Sequence, residues 1–287
     1  MADFALRFGL TSLSRAALLA VALAAATVTA VAPAVGSTIS PPLRVCAYPN
    51  NMPFSRADGA GFENKLAALI GARMGRKVEF YWRAQRRGFL RQSLNAGKCD
   101  LVAGFPTRAD ALLTTRPYYR STYVFVTRAD ERAVSSYDDP TLKTLRIGVQ
   151  LIGDDGMNTP PAHELARRGI VENVRGYPVY GNYAKPAPPS AIVDAVARGD
   201  IDVAAVWGPL AGYFAARATP PLVVTPVDAS VTKMPMAFDI SLGVRKDDGS
   251  LAAALQTTLD DEKLEIDRLL AEYQVPMVPA ALTAAQQ

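Results

Sequence analysis

Apolar residues along the chain alternate between short runs and segments of helical spacing. Residues 43–47 and 100–104 are largely apolar runs and read as short buried strands. Between them, Phe62, Leu66, Leu69, Ile70 and Met74 recur at helical spacing over residues 61–74. Residues 78–82, rich in aromatic and β-branched types, read as a strand. Phe89, Leu90 and Leu94 mark a second helix, closed by Gly97. Strands alternating with helices pair in parallel, which predicts an α/β fold.

The same layout returns downstream. Leu43-Arg44-Val45 is echoed by Leu145-Arg146-Ile147, and the Gly97-Lys98-Cys99-Asp100 stretch by Gly199-Asp200-Ile201-Asp202, both at an offset of 102 residues. A helix over 160–168, a strand over 174–177 and a helix over 189–198 complete the second copy. Extended stretches at 121–126 and 240–245 flank it, and helices over 250–259 and 262–273 follow. A chain that leaves one lobe, builds a second and returns makes two connections, a hinge over a cleft. The expected division is lobe 1 over 42–126 and 228–275, lobe 2 over 127–227, and a tail at 276–287.

Residues 16–26 are wholly apolar, follow Arg7 and Arg15, and precede small residues that suit a signal peptidase. Residues 1–34 therefore read as a cleaved signal peptide, with an N-terminal anchor as the alternative. A run this short does not span a bilayer comfortably. The mature protein is expected in the periplasm, with no later membrane span.

The 287 residues are 49% hydrophobic and 20% charged, with a net charge of +4. That composition excludes a disordered chain, and no basic run marks a nucleic-acid footprint. One His, at 163, and two Cys are too few for a soft-ligand metal cluster. After export, Cys46 and Cys99 read most simply as one disulfide, and otherwise as two buried thiols. Neighbouring strands about 4.8 Å apart bring their α-carbons within the range of about 4.4–6.8 Å that the bridge accepts.

Pro53-Phe54, Gly61-Phe62-Glu63, Gly97-x-x-Asp100, Pro117-Tyr118-Tyr119 and Gly243-Val244-Arg245-Lys246 together resemble the type II periplasmic solute-binding proteins over residues 42–275. Residues 86–89, 113–125, 148–156 and 206–214 resemble one branch, the MoxJ/XoxJ family, the solute-binding proteins associated with quinoprotein dehydrogenases. The resemblance implies a two-lobed type II fold. It also implies a periplasmic accessory to a methanol or alcohol dehydrogenase dependent on pyrroloquinoline quinone (PQQ), with no cofactor of its own.

Ligands of open α/β sheets bind beyond the carboxyl ends of the strands. That rule selects Tyr48, Asn50 and Asn51 after the first strand, Phe105, Thr107 and Arg108 after the third, and Gln150 and Trp207 in the second lobe. Tyr118, Tyr119 and Arg120 are expected near the hinge, and Arg86 and Arg87 near the rim. The resemblance implies a comparison with amino-acid-binding relatives, which clamp a carboxylate with an Arg and an ammonium with an Asp. Here Arg108 comes early in a short loop, and Val206-Trp207-Gly208 replaces the acid.

Trp207 reads either as packing between lobes or as a ligand shelf. Arg116 and Arg120 read as hinge ion pairs or partner contacts. Asp154-Asp155-Gly156 reads as a turn, since the spaced acids of a calcium loop are missing. His163 falls in the first turn of a helix with no nucleophile pattern beside it. Hydrolase, phosphate-loop and zinc-protease motifs are absent from the sequence. An enzyme is therefore not expected. A dehydrogenase partner comes first, a receptor for a small ligand other than an amino acid second, and a lyase last.

Overall fold

The computed structural model describes residues 40–84, 86–152, 157–179 and 188–279. The expected signal segment 1–34, the expected turn at 154–156 and the end of the expected tail lie outside these residues.

The first copy of the repeat holds β1 (Leu43–Ala47), a small ribbon of β2 (Asn50–Asn51) and β3 (Ser55–Arg56), α1 (Phe62–Arg73), β4 (Val78–Trp82), α2 (Phe89–Gln92), β5 (Leu101–Pro106) and β6 (Leu113–Thr114). The long strand β7 (Tyr119–Arg128) leads to the second copy. That copy holds β8 (Ile147–Ile152), β9 (Met157–Asn158), α3 (Pro160–Arg167), β10 (Val174–Pro178), α4 (Ala191–Ala197), β11 (Val203–Trp207), α5 (Gly208–Ala215) and β12 (Leu222–Pro226). The chain returns through β13 (Ala237–Val244) and ends with α6 (Gly249–Asp261) and α7 (Lys263–Glu272).

Strand order is β10-β8-β11-β7-β13-β5-β1-β4. In each copy a central strand has parallel neighbours on both sides: β1 between β4 and β5, and β8 between β10 and β11. The two long strands join the copies. β7 pairs with β13 through Tyr119–Thr122 and with β11 and β12 through the residues that follow. β13 in turn pairs with β5. All of these β7 and β13 pairings are antiparallel, as a returning chain requires.

The repeat has a side-chain counterpart. Asp100 accepts from the Arg44 backbone N–H at 3.0 Å and from its guanidinium at 2.6 Å. Asp202 accepts from the Arg146 backbone N–H at 2.7 Å and from its guanidinium at 2.5 Å. In both copies the Asp N–H returns a bond to the Arg carbonyl. Each bracket ties the start of the first strand to the start of the third, which sets the register of the parallel pair.

Successive residues of β7 enter different cores. Tyr123 and Phe125 join a cluster with Ile147 and Leu165, and Val124 and Val126 join one with Ile192 and Leu210. Burial on both faces explains why this segment reads as a continuous apolar run rather than an alternating one. α5 lies against the segment that follows α7. A Cβ at Gly212 would fall 1.9 Å from the Gln274 carbonyl oxygen, so a larger residue cannot dock there.

Sequence and structure differ at several elements. The helix expected over 89–94 is one turn, and the helix expected over 189–198 opens as a 3-10 turn before α4. α5 and β12 carry no periodic signature of their own. α5 is eight residues long and mostly buried, so it has little polar face.

Candidate functional site

The cleft is built from strand ends. The loop after β1 folds back on α1: the Phe62 N–H donates to the Pro53 carbonyl and the Glu63 N–H to the Phe54 carbonyl, both at 2.8 Å. The Asn64 side chain accepts from the N–H groups of Arg56 and Gly61. These bonds occupy the first free N–H groups of the helix. They also aim Glu63 inward, toward the end of β5.

From the other copy, the Trp207 N–H donates to Gln150 Oε1 at 2.8 Å, and the Thr159 hydroxyl donates to the Gln150 carbonyl at 2.8 Å. Gln150 thus ties the end of β8 to the end of β11 and positions the indole. Trp207 stands 5.3 Å from the Tyr123 ring and 6.0 Å from the Phe238 ring, both edge-on.

Together these elements enclose a cavity of about 440 Å³. Its walls are mainly apolar, with Phe54, Tyr119, Tyr123, Trp207 and Phe238 presenting aromatic rings. Tyr48, Asn51, Gln150 and Thr159 add polar groups. Glu63 is the one carboxylate among the described lining residues, and none of them is basic. Glu63 is 8% exposed. Burial alone pushes its pKa up to about 8. Its carboxyl makes no hydrogen bond or ion pair among the described residues. Burial, and next the charge of Glu63, raise Tyr119 well above the usual tyrosine range, opposed only by the Trp207 side chain.

Of the residues selected from sequence, Tyr48, Asn51, Tyr119, Gln150 and Trp207 line the cavity. The others stand elsewhere. Asn50 pairs with Arg56 in the β2–β3 ribbon. Phe105 packs against the cluster around Cys46 and Phe89. The Thr107 hydroxyl meets Ser241 at 2.6 Å. Arg108 is exposed, has a φ of 63°, and donates its backbone N–H to Thr114. Arg120 pairs with Asp239 at 2.8 Å, while Arg116 pairs with Asp260 across the surface. Tyr118 and Tyr119 are 3% and 4% exposed and belong to the core beside Phe62. They are therefore not open at a rim, because β7 is covered on both faces. Arg86 and Arg87 are exposed outside the cavity. His163 is exposed on α3 and donates its N–H to Thr159.

Glu63, Tyr123 and Phe238 are lining residues that strand-end reasoning missed. Glu63 could have been found as an acid at the start of a helix whose preceding loop follows β1. Phe238 could not, since it arrives on the returning strand.

Cys46 and Cys99 form a disulfide, with their α-carbons 5.4 Å apart. It ties β1 to the start of β5, beneath the loop that carries Tyr48.

Two parallel βαβ copies joined by two antiparallel strands, with a preformed cavity at the strand ends, define a solute-binding protein. The chain belongs to the bacterial extracellular solute-binding proteins, family 3, which it matches over residues 43–275. Within that class it is a member of the MoxJ/XoxJ family. It is 36% identical over 254 residues to Protein MoxJ of Methylorubrum extorquens, covering 83% of this chain and 82% of the relative. The crystal structure of the periplasmic binding protein XoxJ from Methylobacterium extorquens AM1 superposes with a TM-score of 0.69 and 34% identity, covering 83% of this chain and all of that one. MxaJ from Methlophaga aminisulfidivorans MPT superposes with a TM-score of 0.71 and 26% identity, covering 82% of this chain and all of that one. Among the described residues no helix is long and apolar enough to cross a membrane.

Proposed function

We propose that this protein works in the periplasm as an accessory of a PQQ-dependent methanol or alcohol dehydrogenase. It supports the enzyme's maturation or activation through protein contact and catalyses no reaction itself. Kinship with MoxJ and XoxJ supports the reading. The observation that carries it is a cavity with no basic residue among its described lining: Arg108 stands outside it, and Trp207, where the resemblance to amino-acid-binding proteins leads one to expect an acid, presents an indole. A cleft that no longer holds the usual cargo is free to serve a partner. Trp207 and Arg120, both half-buried, are the side chains assigned to that contact. Trp and Arg are the types that most often anchor interfaces.

Deleting the gene should abolish periplasmic methanol dehydrogenase activity while the enzyme's polypeptide remains detectable. Replacing Trp207 and Arg120 by Ala should weaken that support while the protein stays folded. Full activity in the deletion strain would overturn the reading.

The preformed cavity favours a second reading, a receptor that delivers a small ligand to an importer. Co-purification from methanol-grown cells separates the two: a dehydrogenase supports the first, a permease complex the second.

A further inference from the structure

The cavity carries a feature that partner contact does not use. Glu63 reaches it from α1, more than nine-tenths buried, and its carboxyl has no partner among the described residues. A buried acid without a partner costs stability, and such groups are normally paired. Its oxygens face the cavity rather than being sealed in the core, so a group from outside the chain, water or a ligand, can reach them.

The surroundings select the kind of group. Tyr119 stands beside Glu63 on one side and reaches Trp207 on the other. Trp207, Tyr123 and Phe238 pack edge-to-face as one cluster, with Tyr123 and Phe238 6.4 Å apart. Phe54, whose carbonyl receives the Glu63 N–H, adds a further ring. Aromatic faces attract cations, most strongly when water is excluded. The described lining residues include no basic side chain to hold a carboxylate or phosphate.

We propose that this cavity binds a compact organic monocation of the alkylammonium class, lacking a carboxylate, held by ionised Glu63 and the rings of Trp207, Tyr119, Tyr123, Phe238 and Phe54. The inference goes beyond the dehydrogenase reading and does not depend on it.

Binding carries a proton signature. In the empty cavity Glu63 is protonated below pH 8 or so. An entering cation favours the carboxylate, so the proton leaves to solvent. The ionisable groups whose charge acts with Glu63 are Tyr118, just before β7, and Tyr119, its first residue; Tyr48 and Tyr123 also line the cavity. Burial, foremost, raises Tyr118 and Tyr119 well above the usual tyrosine range, so neither releases a proton here and the signature is assigned to Glu63.

Calorimetry on the exported chain tests this with tetramethylammonium and choline as probes. 3,3-Dimethylbutan-1-ol, the neutral isostere of choline, and glycine betaine serve as controls. At pH 8, at least one cation should bind saturably at one site. The isostere and betaine should bind roughly thirtyfold more weakly or not at all. Cation affinity should fall by about tenfold for each pH unit below 8, with close to one proton released per ligand. Glu63→Gln, which mimics the neutral acid, should lose roughly thirtyfold. Absence of saturable heat from both cations would overturn the proposal, as would equal binding of the isostere. A pH-independent affinity would also overturn it, and that measurement needs no variant should Glu63→Gln fail to fold. Dehydrogenase activity is not read, so this proposal and the partner reading fail separately.

Discussion

A Cβ built on Gly104 would lie 2.3 Å from Glu63 Oε1. Gly104 ends the apolar part of β5 with a φ of 73°, in the left-handed region where only glycine is at ease. Its missing side chain is the space the carboxyl fills. Gly104→Ala should therefore cost at least about 1–2 kcal/mol from the backbone alone and displace Glu63 from its pocket. Denaturant melts read the first effect, and the pH dependence of stability reads the second.

Glu63 should work against the fold as the pH rises. Its pKa is about 8 in the folded chain against an ordinary 4.5. The folded state therefore holds a proton that the unfolded state has released, and stability falls between those two values. The loss reaches up to about 5 kcal/mol at the alkaline end. Glu63→Gln should be more stable than the natural protein at pH 8 and nearly equal to it at pH 4.5. Equal pH slopes for the two proteins in urea melts would show that the carboxyl is solvated.

Glu164 behaves in the opposite way. Buried in α3, it accepts from the Arg167 and Arg168 guanidiniums and from the N–H groups of Lys233 and Met234. Burial raises its pKa, but Arg167, the Met234 N–H, Arg168 and the Lys233 N–H together outweigh burial and hold it at about 2. Its contribution is present above the unfolded value of 4.5 and is lost as the pH falls through about 2, some 3 kcal/mol in all by linkage (about 1.4 kcal/mol per unit). Glu164→Ala should cost about 3 kcal/mol, because the Lys233 and Met234 N–H groups and Arg167 lose their acceptor, while Arg168 keeps Asp138. Thermal melts at pH 7 check the size.

The Cys46–Cys99 bridge closes a separation of 53 residues. By chain entropy that constraint is worth about 4 kcal/mol. The exported protein should be two hydrogens lighter by intact mass without reductant. It should melt lower once reduced and alkylated. Two free thiols in the unfolded, unreduced chain would contradict the bridge.

No common L-amino acid should bind with micromolar affinity. Arg108 is exposed outside the cavity and no described lining residue is basic, so a carboxylate meets no cation among them. Losing one partner of a buried charged contact costs about 2–5 kcal/mol. A thermal-shift panel of the amino acids checks this, and one saturable stabilisation would reverse it.

By itself the sequence determined the repeat and its elements. The 102-residue offset that pairs Arg44 with Arg146 and Asp100 with Asp202 reappears as two matching ion-pair brackets, because a parallel strand pair needs the same local tie in each copy. Apolar runs, helical spacing and glycine stops are local properties, and they place β1, α1, β4 and β7 within a residue or two and the start of β13 within three. Tyr48, Gln150 and Trp207 were legible as cavity residues because strand ends converge in any such sheet. The tertiary structure decided the rest. Whether Tyr118 faces solvent or the core depends on what covers β7, and Arg108 and Arg120 are drawn outside the cavity by a left-handed turn and by Asp239. That Glu63 has no partner among the described residues depends on three separate segments: the loop at 53–54 that aims it, the glycine at 104 that admits it, and the rings from β7, β11 and β13 that line the cavity around it. Local patterning cannot register such a convergence, because the absence of a counter-charge is a property of the enclosed space.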